Sequence, residues 1–132
     1  MTRIAVVGAG KLGEALLSGM LRAGRPVDDL VITARRVERA GELTERYGVP
    51  AVSNAEAAAR SDIVLVTVKP QDIEALLAEL APAVTPDTLV ISVVAGVPTA
   101  LIERHLGDGT PVVRVMTNTP VLVDEAMSAI SA

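Results

Sequence analysis

The chain has 132 residues, a formal net charge of −4, half its residues apolar, a single aromatic residue, Tyr47, and no cysteine. The length suits one domain, the acidic balance argues against nucleic acid or an anionic membrane as partner, and the missing cysteine excludes disulfides, thiol catalysis and thiolate metal ligands. A lone histidine, His105, argues against zinc; with no long apolar run and no leader-like segment before the first strand, a metal-free cytoplasmic protein is expected.

Without Phe or Trp the core must be built from Val, Leu, Ile and Ala. That composition suits a parallel sheet covered by helices on both faces. Arg3–Val7 reads as the first strand. A helix over Lys11–Ala23 follows, with Ala15, Leu16, Gly19, Met20 and Ala23 expected on its apolar face and Gly24 and Pro26 closing it. Between them stands Gly8-Ala9-Gly10-Lys11-Leu12-Gly13. A GxGxxG between a strand and a helix is where a dinucleotide fingerprint must sit. Gly8 allows the tight turn, Gly10 lets a pyrophosphate approach the backbone, and Gly13 lets the helix pack close to the strand. The helix start offers N–H groups and a positive dipole end to the phosphates. An ordinary glycine-rich turn is the alternative, and the context favours the fingerprint.

Leu30–Thr33 reads as the second strand, Val37–Tyr47 as a charged amphipathic helix stopped by Gly48, and Ala51–Val52 as a short third strand. Asn54 can cap an Ala-rich helix over 55–60. Asp62–Val68 is a buried fourth strand, and Pro70 starts a helix running to about Leu80. Leu89–Val93 is the fifth strand, Pro98 starts a helix over 98–106 stopped by Gly107, and Pro111–Met116 is the sixth strand. Strands alternating with helices through short connections predict an α/β, Rossmann-type doubly wound, mainly parallel sheet. Residues 1–120 are expected to form this NAD(P)-binding domain. In the tail 121–132, Val121-Leu122-Val123 and Ala126–Ile130 have no obvious partner within the chain. They read either as leading towards a further domain or as a terminal element that completes the sheet.

The acid that binds the ribose of NAD sits near the end of the second strand. Counting about 20 residues from the first glycine lands on Asp28 and Asp29, but these precede Leu30–Thr33 and so lie at the wrong end of the sheet. The strand ends instead in Thr33-Ala34-Arg35-Arg36, which has no acid and two guanidiniums. A guanidinium fork suits a phosphate, so NADP, taken as NADPH, is expected ahead of NAD. Arg36 serves equally as a solvated first-turn residue of the next helix.

In an open α/β sheet, ligands bind beyond the C-terminal strand ends. There the chain places Val68-Lys69-Pro70-Gln71, Val94-Ala95-Gly96, Met116-Thr117-Asn118-Thr119-Pro120 and, after the third strand, Asn54. Each could be a plain turn; together they line the edge to which the phosphate loop points. Lys69 can position polar groups, though no neighbour marks it as a Schiff-base lysine. His105 reads as a cation complementing the end of its helix.

These residues resemble the N-terminal domain of the pyrroline-5-carboxylate reductase family. The resemblance covers essentially the whole chain. It rests on Gly8-Ala9-Gly10-Lys11-Leu12-Gly13-Glu14-Ala15, on Val68-Lys69-Pro70-Gln71, on Val90–Gly96 and on Pro111–Pro120. The family usually has Pro where Thr117 stands here and Gly where Asp124 and Ala126 stand. The resemblance implies NADPH- or NADH-dependent reduction of 1-pyrroline-5-carboxylate to L-proline, by hydride transfer to the carbon of the ring C=N bond. It also implies a homo-oligomeric protein about twice this length, with a helical C-terminal domain that supplies much of the substrate pocket. It assigns Asn54 and the Ala34–Arg36 turn to the adenosine end, and Lys69-Pro70, Ala95-Gly96 and Asn118-Thr119 to the nicotinamide side. Which residue or water delivers the proton stays open. Two other readings stand beside it: an NADP oxidoreductase of the β-hydroxyacid dehydrogenase type, or a non-catalytic NADP(H)-binding module. The former usually shows Gly-Leu-Gly-x-Met-Gly at the loop.

Overall fold

The computed structural model describes residues 3–8, 10–94, 96–107 and 109–114. The strands are β1 (Ile4–Val7), β2 (Leu30–Ile32), β3 (Ile63–Val66), β4 (Leu89–Ser92) and β5 (Val112–Arg114). The helices are α1 (Lys11–Arg22), α2 (Val37–Tyr47), α3 (Asn54–Arg60), α4 (Ile73–Leu80) and α5 (Thr99–Leu106). Tight 3-10 turns at Val27–Asp29 and Pro70–Asp72 precede β2 and α4.

The described strands form one sheet in the order β2-β1-β3-β4-β5, with every neighbouring pair parallel. Ile4 lies opposite Leu30 on one side and Ile63 on the other. Side chains alternate across a strand, so the two faces sort cleanly. Ile4 and Val6 pack with Leu16, Leu17 and Met20 of α1 and Leu43 of α2. Ala5 and Val7 pack with Ala57 and Ala58 of α3, Leu76 and Leu77 of α4, and Ile102 of α5. Burial on both faces explains why the strands read as continuous apolar runs. The chain crosses from β2 to β3 over β1, so the connections leaving the tips of β1 and β3 diverge. The crevice opened there is the usual ligand position of such a sheet.

Several boundaries differ from expectation. The third strand shrinks to a single parallel bridge between Ile32 and Ala51. Ile32 N–H donates to Pro50 at 3.0 Å and Val52 N–H donates to Ile32 at 2.9 Å. Pro50 has no N–H, so pairing cannot extend backwards. The bridge lies on the far side of β2 from β1, where a third strand would belong. The buried face of α1 is Gly13, Leu16, Leu17 and Met20, while Ala15 and Ala23 are exposed and Gly19 is half-buried. That set follows the i, i+3, i+4, i+7 stripe counted from Gly13. Ser53, not Asn54, caps α3: its hydroxyl accepts the Glu56 N–H at 3.2 Å. Pro70 opens the 3-10 turn rather than α4, and Pro98 stands just before α5 as its N-cap. Val115, Met116 and the tail 121–132 lie outside the described residues.

Candidate functional site

The tip of β1 is held from both sides. Gly8 turns the chain with φ +78°. Its N–H donates to the Thr33 hydroxyl at 3.0 Å, from the end of β2. On the other side the Thr67 hydroxyl donates to the carbonyls of Val7, at 2.8 Å, and Gly8, at 3.2 Å. Both threonines are buried. A Cβ on Gly8 would lie 2.1 Å from Cγ1 of Val68, so the loop and Val68 pack without room for a side chain.

Gly10 presents the opposite case. It precedes α1 as N-cap with φ −94°, and no side chain caps the helix there. A Cβ on Gly10 would meet nothing within 4 Å among the described residues. The first N–H groups of α1 have no intrahelical acceptor, so an uncapped end leaves them for a ligand or water. Lys11 is exposed, Leu12 is half-buried against the core, and Gly13 is buried. Ala9 lies outside the described residues.

Beyond β2, Ala34 is half-buried and Arg35 and Arg36 are exposed, Arg36 standing as N-cap of α2. Arg35 is 84% exposed, and its Nη1 lies 3.2 Å from Oδ1 of Asp72 in the turn after β3. Val68 and Lys69 follow β3 and lead into Pro70; Gly96 follows β4, exposed, with φ +76°. The loop Gly8–Gly13, the Ala34–Arg36 turn, Val68–Pro70 and Gly96 thus gather at one edge of the sheet. Asn54 is differently engaged, since its amide donates to the Glu79 carboxylate of α4. Ala95, Asn118 and Thr119 lie outside the described residues. Asp28 and Asp29 sit in the turn before β2, at the opposite end of that strand.

Sequence reasoning missed one cluster at this edge. The Glu14 carboxylate, in the first turn of α1, accepts from Arg39 at 2.6 Å, Arg46 at 2.7 Å and Tyr47 at 2.8 Å, all on α2. Arg39 also donates to the Gly10 carbonyl at 3.3 Å. The Tyr47 hydroxyl and the Arg39 guanidinium hold the Glu14 carboxyl down at about 2. The available signal was the spacing of Arg39, Arg46 and Tyr47, which places them on one face of a helix. Among the described residues no three acids or histidines gather as metal ligands, and no helix is long and apolar enough to cross a membrane.

A parallel sheet with a glycine loop at its switch point and an open helix end beside it is the arrangement of a nucleotide-binding domain. Residues 3–96 match the family described as NADP oxidoreductase, coenzyme F420-dependent, and the chain belongs to that family. Within it, the chain is 44% identical over 137 residues to the pyrroline-5-carboxylate reductase of Mycobacterium tuberculosis, covering 99% of this chain and 46% of that protein. A solved pyrroline-5-carboxylate reductase from Coxiella burnetii superposes with a TM-score of 0.83 at 32% identity, over 92% of this chain and 46% of the other. The Plasmodium falciparum pyrroline carboxylate reductase, solved with NADP bound, gives 0.77 at 27% identity, over 92% and 44%. The chain spans about half the length of the curated relatives it matches.

Proposed function

We propose that the chain is the cofactor-binding part of a pyrroline-5-carboxylate reductase and binds NADPH in preference to NADH. The observation that carries this reading is Gly10. Its φ of −94° is not left-handed, and among the described residues a Cβ would meet nothing within 4 Å, so packing does not require glycine here. What a side chain would occupy there is the approach to an uncapped helix start, where a pyrophosphate fits.

The residues present suit that cofactor. The N–H groups of Lys11–Gly13 would face the pyrophosphate, the Gly10 N–H being donated to the Gly8 carbonyl at 2.8 Å, and Arg35 and Arg36 are the donors for a 2′-phosphate. Val68-Lys69-Pro70 and Gly96 would border the nicotinamide side, to which the family resemblance also assigns Ala95, Asn118 and Thr119; Asn54 would exchange Glu79 for the adenosine. When bound, NADPH supplies the hydride for the C=N carbon of 1-pyrroline-5-carboxylate, and a proton on the ring nitrogen completes L-proline. The chain contributes binding, orientation and a fixed field. On this reading residues 1–120 are the cofactor domain. The apolar stretches within 121–132 lead to a helical domain that completes the substrate pocket and a cytoplasmic homo-oligomer. The 46% share of the mycobacterial relative supports this division.

The test is NADPH binding by this chain, followed by an NADPH-oxidation assay with pyrroline-5-carboxylate on this chain and on a version extended past Ala132. Binding by both, with turnover by the longer form only, is the expected result. Failure of this chain to bind NADPH would overturn the reading.

A further inference from the structure

We infer that Arg39 is a positioning residue for the dinucleotide: its guanidinium fixes the Gly10–Lys11 peptide so that the Lys11 N–H faces the pyrophosphate. The inference rests on the loop being the cofactor site. The Gly10 carbonyl and the Lys11 N–H belong to one planar unit and point in opposite directions. That carbonyl accepts two bonds, from Glu14 N–H at 2.9 Å and from Arg39 Nη2 at 3.3 Å. The first is the ordinary opening bond of α1. The second arrives from another helix, at a peptide that glycine and an uncapped helix end would otherwise leave loose. A cationic donor on a carbonyl also polarises the amide, which makes the N–H on its far side a stronger donor.

Arg39 is itself committed to the protein. The same Nη2 lies 2.6 Å from Glu14, and Nη1 lies 3.5 Å from Glu42. Its side chain is 25% exposed, against 84% for Arg35. Arg39 is therefore turned inward on the loop, whereas Arg35 stands out in solvent. Glu14 is braced in turn by Arg46 and Tyr47, so α2 carries the Arg35-Arg36 turn at one end and grips the phosphate loop a turn later. The two cationic partners also offset the charge of Glu14, which would otherwise repel phosphate close to the loop.

The experiment compares wild type, Arg39→Met and Arg39→Lys. Affinities are measured for NADPH, for NADH and for 2′-phosphoadenosine, which has the 2′-phosphate but no pyrophosphate. The amide resonance of Lys11 is followed without ligand. Arg39→Met is expected to weaken both dinucleotides by roughly three- to tenfold, to leave 2′-phosphoadenosine unchanged, and to move the Lys11 amide proton upfield. Arg39→Lys, which keeps a cationic donor, is expected to recover part of each effect, and it carries the comparison alone if Arg39→Met does not fold. Unchanged dinucleotide affinity, or a parallel loss of 2′-phosphoadenosine, overturns the inference. A wild-type chain that binds neither dinucleotide overturns the cofactor reading itself; a binding wild type with an indifferent variant overturns only the role of Arg39.

Discussion

Thr33 at the end of β2 accepts the Gly8 N–H at 3.0 Å, so two neighbouring strand tips share one hydrogen bond through the turn between β1 and α1. Thr33 is 4% exposed, so no water easily replaces its hydroxyl. Thr33→Val keeps the shape and removes the acceptor. Leaving the N–H unpaired should destabilise the fold by about 1–3 kcal/mol. Urea unfolding checks this, with Thr33→Ser as the variant that keeps the bond; equal midpoints for Val and wild type would count against it.

Gly8 and Gly10 should respond in opposite ways to substitution. Gly8→Ala places a Cβ against Val68 at a backbone φ of +78°, and loss of stability is expected from both contact and strain. Gly10→Val meets open space, so the melting temperature should stay near wild type while NADPH binding disappears. Thermal melts paired with cofactor titration separate the two. Near-wild-type NADPH affinity in Gly10→Val would show that Gly8–Gly13 is not the phosphate loop.

Arg35→Ala should cost roughly 1.5–3 kcal/mol of NADPH binding, as for a hydrogen bond to a charged group, and leave NADH nearly unchanged. Asp72 competes for the same guanidinium at 3.2 Å. That pair is exposed and weak, so Asp72→Asn should raise NADPH affinity by no more than about 1 kcal/mol. Titration calorimetry with both cofactors decides; equal losses for NADPH and NADH in Arg35→Ala would remove the 2′-phosphate assignment.

Glu14 gives the fold an acid limit. Its carboxyl is depressed from 4.5 to about 2 by Tyr47, then Arg39, so the folded chain favours the ionised form. A depressed carboxyl stabilises fully above its unfolded value and loses that contribution as pH falls through the folded one. Stability supplied by Glu14 should therefore drain away between about pH 4.5 and about pH 2. In Glu14→Gln the chain should be less stable at neutral pH and less pH-dependent across that window. Denaturant midpoints across the range provide the check, and parallel curves for the two proteins would contradict it.

The sheet was readable because apolar runs such as Ile4–Val7 and Ile63–Val66 are buried on both faces and end in polar or turn residues. The loop was readable because its glycines stand where a strand meets a helix. Thr33 and Thr67 were visible only as strand residues; their role depends on β2 and β3 flanking β1, which is a matter of topology. Glu14 and its partners stand 25 to 33 residues apart on separate helices, and nothing local pairs them. Ala51–Val52 reads as a strand because its residues are strand-like, while the missing N–H of Pro50 blocks pairing on one side of the Ile32–Ala51 bridge and α3 begins at Asn54 on the other.

Tyr47 is the only aromatic side chain in the chain, and its hydroxyl rests 2.8 Å from the Glu14 carboxylate. Its near-ultraviolet absorption and emission therefore come from a single address, with no tryptophan to mask them. That address joins α1 to α2, one helical turn from the Gly10 carbonyl that Arg39 also touches. The molecule thus carries its own optical label at the junction where nucleotide binding would be felt. Events at that junction can be followed in the unmodified protein, without dye or engineered reporter.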